Sequence, residues 1–407
     1  MSSENTIPCA VCGKPVKDWL GNHLVEDHGM SVATYQANYP GSEVVTPRVL
    51  AETAPPAALR RAHPPAPTNL TVTFSGRGMT FPVNVGVPAD VCLPEPAEYQ
   101  IPVHGELGRD IAYALVGLQK GRSLFIWGAP GTGKDALFHY WSAKTRTPGI
   151  IKQVIPGTDI ESWFFSRAFN EHGTSWEEGD VLKALRDGYL CEDGTRVPYI
   201  VVFSDLDRAQ KDQAEYMRLI TDSIAGRIQG PAGRVYPVLP GTRLVATANT
   251  SGGGDSTGRM VSSNPLDGSI LNRWNYKLMF HPMDWKDEEP IVKAKFPMLV
   301  ARVPAIFESL GRATLAMRAA IANMTIYGEF SHRDVCHILM AADDLLSNTT
   351  TDKAKATLLK QAVRVWLDGL PDEDTRKAAL NILDPHIKGG MVPTGNPTTS
   401  GDPLADI

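Results

Sequence analysis

The sequence predicts an α/β protein. It is expected to hold a parallel sheet with helices on both faces and an α-helical region after it. A small metal-nucleated unit and a β-hairpin are expected before it. Three observations carry this. Apolar runs such as "SLFIWG", "YIVVFS" and "TRLVATAN" alternate with amphipathic stretches and have no polar face, as in strands covered on both sides. The first run leads into "GAPGTGK", a glycine-rich loop of the kind that wraps phosphate. Near the start, two cysteines and two histidines fall within twenty residues of one another.

Each element follows in order. Residues 1–45 form a short, dense unit. Residues 46–67, "TPRVLAETAPPAALRRAHPPAP", carry six prolines and little apolar periodicity, the composition of a semi-extended linker. Residues 68–99 begin with two β-runs around "SGRG", a hairpin signal. Residues 100–283 hold the alternating strands and helices, and 284–385 read as helical throughout, as in "PAIFESLGRATLAMRAAIANM". Residues 386–407, rich in Gly, Pro, Ser and Thr, are expected to be disordered.

Composition narrows the function classes. Apolar residues make up 43% of the 407, and charged residues 21%, as in globular proteins. A net charge of −5 gives no general attraction to nucleic acid or anionic membranes. There is no apolar run long enough to span a bilayer and no secretory leader pattern, so a cytoplasmic protein without a membrane partner is expected. Cys92, Cys191 and Cys336 are isolated and read as buried or incidental thiols.

Cys9 and Cys12 are different. Their two-residue gap lets both thiolates grip one ion from a tight turn, and His23 and His28 share roughly one helix face. Two sulfurs and two nitrogens suit tetrahedral Zn²⁺, with Val11, Val16, Trp19 and Leu20 as the expected mini-core. The segment resembles the zinc finger of Ros/MucR-type bacterial regulators, which implies DNA binding. The acids Asp18, Glu26, Asp27 and Glu43 oppose phosphate contact, so a protein-docking role stands beside it.

In "GAPGTGK", the glycines let backbone N–H groups converge on phosphate oxygens, and the helix that follows turns its positive end to the same anion. The expected nucleotide-binding residues are Gly128, Pro130, Gly131, Thr132, Gly133, Lys134, Asp135 and Ala136, with Lys134 reaching the β/γ-phosphates. Downstream, "YIVVFSDLDRAQ" puts acids after a buried strand, "RLVATANT" ends a third strand at Asn249, and Arg273 and Arg333 follow in "ILNRWN" and "SHRDV".

Taken together, residues 100–385 resemble an AAA+ ATPase, and more narrowly the MoxR/CobS group. "VATANTSGGGDSTGRMVSSNPLDGSILNRWNYKLMF" and "EEGDVLKALRDG" carry the narrower likeness, and "SHRD" stands where the group has Ser-Pro-Arg. The resemblance implies a P-loop AAA+ sheet with an α-helical lid, ATP and Mg²⁺ as cofactors, and a ring, usually a hexamer. It implies that Asn249 and Arg333 act as sensors within their own subunit. Arg273 would be the arginine finger of a neighbour's site. It also implies a protein client, often one with a von Willebrand A domain.

Two positions depart from the group. Asp135 stands where a serine or threonine hydroxyl helps hold Mg²⁺, and Ser204 stands where a carboxylate does. Mg²⁺ demands oxygens and tolerates exchange of which residue supplies each. A reciprocal swap between Asp135 and Ser204 is therefore expected to preserve the cation site. Asp205 then takes the place of the catalytic Glu, one methylene shorter, which implies slow hydrolysis. The other register makes Asp205 the metal-associated acid and leaves Asp207 as the only nearby acid. The expected function is an ATP-hydrolysing ring that remodels a protein partner. One alternative is a CobS-like subunit driving cobalt insertion into a corrin precursor. Another is a slow or non-hydrolysing nucleotide switch, in one version tethered to DNA through the finger.

Overall fold

The computed structural model describes residues 6–17, 20–30, 32–39, 42, 44, 69–74, 77–97, 99–170, 173–210, 213–254, 263–347, 352–370 and 372–387. The expected linker over 46–67 and nearly all of the expected disordered tail lie outside these, as do Trp19 and the "SG" of the hairpin turn. The chain divides into two compact units, residues 1–64 and 65–407.

In the first unit, β1 (Thr6–Pro8) pairs antiparallel with β2 (Pro15–Lys17), and α1 (Gly21–His28) and α2 (Val32–Asn38) follow. Gly29 closes α1 in the left-handed conformation that glycine adopts without a Cβ penalty. Ile7, Cys9, Leu20, Leu24 and Tyr35 form the core. The mini-core expectation is corrected at Val11, which is exposed, because it lies in the turn between the two cysteines.

The second unit opens with a hairpin, β3 (Asn69–Phe74) and β4 (Arg77–Pro82). Then come α3 (Gly105–Gln119), β5 (Leu124–Trp127), α4 (Lys134–Thr145) and β6 (Gly149–Gln153). A second hairpin, β7 (Phe165–Asn170) and β8 (Gly173–Glu178), precedes α5 (Asp180–Asp187) and the short pair β9 (Tyr189–Leu190) and β10 (Arg196–Val197). Next are β11 (Ile200–Ser204), α6 (Ala214–Ile224), a third hairpin of β12 (Arg227–Gln229) and β13 (Val235–Pro237), and β14 (Arg243–Ala248). The α/β part ends with α7 (Gly268–Leu271) and β15 (Tyr276–Met279).

Five strands make one parallel sheet in the order β15-β5-β14-β11-β6. Strand alternation explains why these segments read as unbroken apolar runs. Leu124, Ile126, Ile200, Val202 and Val245 face the core shared with α3 and α4. Phe125, Val201, Phe203, Leu244 and Ala246 face the core shared with α5 and α6. Strand order reverses around β5, and ligands of open α/β sheets bind beyond the carboxyl ends at such a point.

After the sheet, the described residues hold only helices: α8 (Trp285–Lys295), α9 (Pro297–Arg302), α10 (Ala305–Ala322), α11 (His332–Ser347), α12 (Asp352–Asp368) and α13 (Glu373–Ile387). They enclose a separate apolar core. Among the described residues, no helix is long and apolar enough to cross a membrane.

Candidate functional site

The loop between β5 and α4 is shaped by glycine. Gly131 and Gly133 have φ of +79° and +82°, which side chains with a Cβ rarely adopt. A Cβ on Gly131 would lie 2.6 Å from the Ser331 Oγ, so the start of α11 sits directly against the loop. Thr132 Oγ1 donates to the Ala129 carbonyl at 2.9 Å, tightening the turn. Pro130 and Ala136 lie in the loop and the first turn of α4.

Lys134 is buried and donates to the carbonyls of Gly128 (2.8 Å) and Ala129 (3.1 Å) and to Asn249 Oδ1 (3.2 Å). Burial pulls its pKa down, against the opposing charges of Asp135, Asp205, Asp207 and Glu329.

Asp135 is the first acid of α4, and the structure brings it to Ser204. Ser204 Oγ donates to Asp135 Oδ2 at 2.6 Å, and Thr247 Oγ1 donates to Asp135 Oδ1 at 2.8 Å. One carboxylate and two hydroxyls thus meet at the carboxyl ends of β11 and β14, beside the helix that leaves β5. All are hard oxygen donors, so the residues fit Mg²⁺.

Asp205 follows Ser204 with φ +55°, a left-handed conformation that Asp tolerates better than most residues. Its carboxylate accepts from Asn249 Nδ2 (3.2 Å) and Gln153 Nε2 (3.5 Å), with Arg208 Nε at 3.6 Å. Asp207, fully buried, has a different task. Its Oδ2 accepts from the backbone N–H groups of Asn249 (3.1 Å) and Thr250 (3.0 Å) and from Thr250 Oγ1 (3.0 Å). It therefore ties the end of β14 to the turn after β11.

The two arginines are placed differently. Arg333 is exposed, and its Cβ lies 3.1 Å from the Cβ position of Gly131. It makes no hydrogen bond or ion pair among the described residues. Its neighbour Asp334 is engaged elsewhere, accepting from Ser331 Oγ (2.7 Å), Ser331 N–H (2.8 Å) and Trp366 Nε1 (3.0 Å). Arg273 lies away from this cluster in its own chain, bonded to Thr221 Oγ1 (3.0 Å) and Asp222 Oδ1 (3.1 Å) on α6.

Behind α11 lies a latch that the sequence reading did not find. Glu288 on α8 is fully buried and accepts two bonds from Arg318 (2.7 and 3.1 Å). It also contacts His332 Nδ1 at 3.0 Å, while His332 Nε2 meets Cys336 Sγ at 3.3 Å. Burial opposes the charge on His332, but these hydrogen bonds outweigh it and push the imidazole pKa up to about 9.

In the first unit, Cys9, Cys12, His23 and His28 converge, their ligand atoms all within 4.8 Å of one another. Cys9 Sγ and Cys12 Sγ lie 3.6 and 3.2 Å from His28 Nε2 and His23 Nε2, and the two Nε2 atoms are 3.2 Å apart. A tetrahedral Zn²⁺ with ordinary bond lengths sets such edges at about 3.3–3.6 Å, so the donor set fits that ion. Asp27 accepts from His23 Nδ1 at 2.7 Å and from Lys14 at 3.1 Å, fixing the ring from behind.

The sequence reading missed Thr247 and the role of Asp207. Thr247 lies on β14, and what it meets is set by the strand order that puts β14 beside β11, which no local spacing reveals.

The sheet, the glycine loop after β5 and the helical region together define the P-loop AAA+ fold. Residues 123–264 match the family model of the AAA domain (dynein-related subfamily). Among curated proteins, the chain is similar to the aerobic cobaltochelatase subunit CobS of a Sinorhizobium species. The two are 22% identical over 214 residues, covering 52% of this chain and 60% of that relative's length. Among solved structures, it is similar to the Thermotoga maritima RuvB Holliday junction branch migration motor (TM-score 0.40, 13% identity, 67% of this chain and 72% of that one). It is also similar to a putative ATPase from Cytophaga hutchinsonii (TM-score 0.31, 11% identity, 68% of this chain and 93% of that one).

Proposed function

We propose that the chain is an ATP-binding and ATP-hydrolysing ring motor of the MoxR/CobS type that remodels a protein partner, with a cation site shared by Asp135 and Ser204. The observation that carries the reading is the 2.6 Å hydrogen bond between those two side chains. It brings together the two positions at which the sequence departs from its group. The pair still offers one carboxylate and one hydroxyl.

Asp135 and Ser204 would hold Mg²⁺, which supplies charge neutralisation at the transferring phosphoryl group. Lys134, bonded here to the loop carbonyls, would hold the β/γ-phosphates by its positive charge. Asp205 and Asn249, joined at 3.2 Å, orient the attacking water, and Arg333 stands against Gly131 to meet the phosphate from the lid side. Arg273 is assigned to a neighbouring subunit's site, which requires it to leave Asp222. On this reading the protein works in the cytoplasm as a homo-oligomer, with a von Willebrand A domain protein as the client class. Zn²⁺ held by the Cys9, Cys12, His23 and His28 set is structural, stabilising a docking finger.

The test is ATP binding and turnover of Asp135→Ser, Ser204→Asp and the double variant. Each single change is expected to lower kcat/KM by about 10–100-fold, the effect of one lost bond to a charged group, and the double to recover most of it. Harmless single changes with no gain in the double would overturn the shared site.

A second reading is a nucleotide switch that turns over slowly or not at all. The shorter Asp205, already engaged by Asn249 and Gln153, favours it. Tight ATP binding without steady-state turnover at saturating Mg²⁺ would select it. Cobalt insertion, which the name of the Sinorhizobium relative carries, is a narrower alternative, read by loss of Co²⁺ chelation when the chain is omitted from a reconstituted reaction.

A further inference from the structure

We infer that Thr247 is a positioning residue for the cation site, holding the Asp135 carboxylate from the side opposite Ser204. This rests on the Asp135/Ser204 reading above and extends it to a third position, on β14. Thr247 lies on β14, the strand between β5 and β11, with its side chain only 1% exposed.

A hydroxyl has one proton. Thr247 spends it on Asp135 Oδ1 at 2.8 Å, so toward its other neighbour it can only accept, and there it faces the Asp205 N–H at 3.4 Å. Ser204 spends its own proton on Asp135 Oδ2. The carboxylate is thereby fixed at both oxygens by donors from two adjacent strands. A carboxylate on the first turn of a helix would otherwise rotate about its side-chain bonds. Thr247 stops that rotation and links the carboxylate to the backbone of Asp205. It acts through Asp135 and is not assigned contact with nucleotide.

The experiment measures binding of a fluorescent ATP analogue to the full-length chain across a Mg²⁺ titration, with no turnover needed. Thr247→Val removes the donor and keeps the shape. It is expected to raise the Mg²⁺ concentration for half-maximal tight binding about tenfold or more. Binding without Mg²⁺ should stay within about twofold of the parent. Thr247→Ser restores the hydroxyl and should restore the Mg²⁺ dependence. If the valine variant lacks a cooperative melting transition, Thr247→Ala takes its place with the same expectation.

Equal weakening with and without Mg²⁺ would make Thr247 merely structural and overturn the inference. So would a serine variant as impaired as the valine. Ser204→Ala separates the two levels. If it shifts the Mg²⁺ dependence and Thr247→Val does not, only the role of Thr247 falls. If neither shifts it, the shared-site reading falls with it.

Discussion

Asp207 shows how much of this site is held by groups that do no chemistry. Its one bonded oxygen gathers two backbone N–H groups and a hydroxyl, all from Asn249 and Thr250. Replacing it with alanine leaves those donors unpaired in a buried place. We expect a loss of about 3 kcal/mol in urea unfolding together with a fall in kcat, because Asn249 is no longer held. Asp207→Asn, which keeps an acceptor, should recover most of both. The contrast with the phosphate loop is instructive. Lys134 and its glycines, like the four zinc-type ligands, are local in sequence, and spacing alone exposes them. Asp207 reads as a spare acid in "SDLDRA" until the neighbouring strand is known. Thr247 is hidden for the same reason: strand order decides what it meets, and no local spacing encodes strand order.

Among the elements, α11 links the helical region to the phosphate loop. Ser331, just before the helix, donates its N–H and its hydroxyl to the Asp334 carboxylate, and Ser331 also abuts Gly131. His332 then fastens this helix start to Glu288 and Arg318. His332 meets Glu288 from α8 and Cys336 from its own helix, and Arg318 from α10 holds the same Glu288 carboxylate. Its folded pKa of about 9 lies above the ordinary value of 6.5. The folded state therefore holds the proton more tightly than the unfolded chain. The stabilisation is complete below pH about 6.5 and is lost as pH rises through about 9, amounting to about 3 kcal/mol in all. Thermal melts between these pH values should show the parent losing stability while His332→Gln stays nearly flat over that window. A parent curve as flat as the variant's would refute the latch. The latch was illegible because Glu288 and His332 lie 44 residues apart on different helices. By contrast, the helices themselves are plain from apolar periodicity, and the three inner strands β5, β14 and β11 from runs with no wet face; the edge strands β6 and β15 carry no such run.

For the whole molecule, the division into two units makes a thermodynamic prediction. Among its described residues, the first unit has a core of five buried side chains, too small to offset the entropy of ordering its chain unaided. The second has large cores of its own. Chelation should therefore abolish one transition in calorimetry and leave the main one within a few degrees of its place. Nucleotide binding should survive the same treatment. A single transition that moves as a whole on chelation would show that the two units unfold together.

The position of β14 has a consequence for how the molecule folds. It lies between β5 and β11, yet it is made after both. Asp135 is 69 residues from Ser204 and 112 from Thr247, so its carboxylate waits through two long loop closures before either partner is in reach. Without β14, β5 and β11 have no strand between them, and Asp135 lacks the Thr247 donor. Seating β14 in the sheet thus also completes the pair of donors on Asp135. On the proposed function, Mg²⁺-dependent nucleotide binding would therefore report that the central strand is in place.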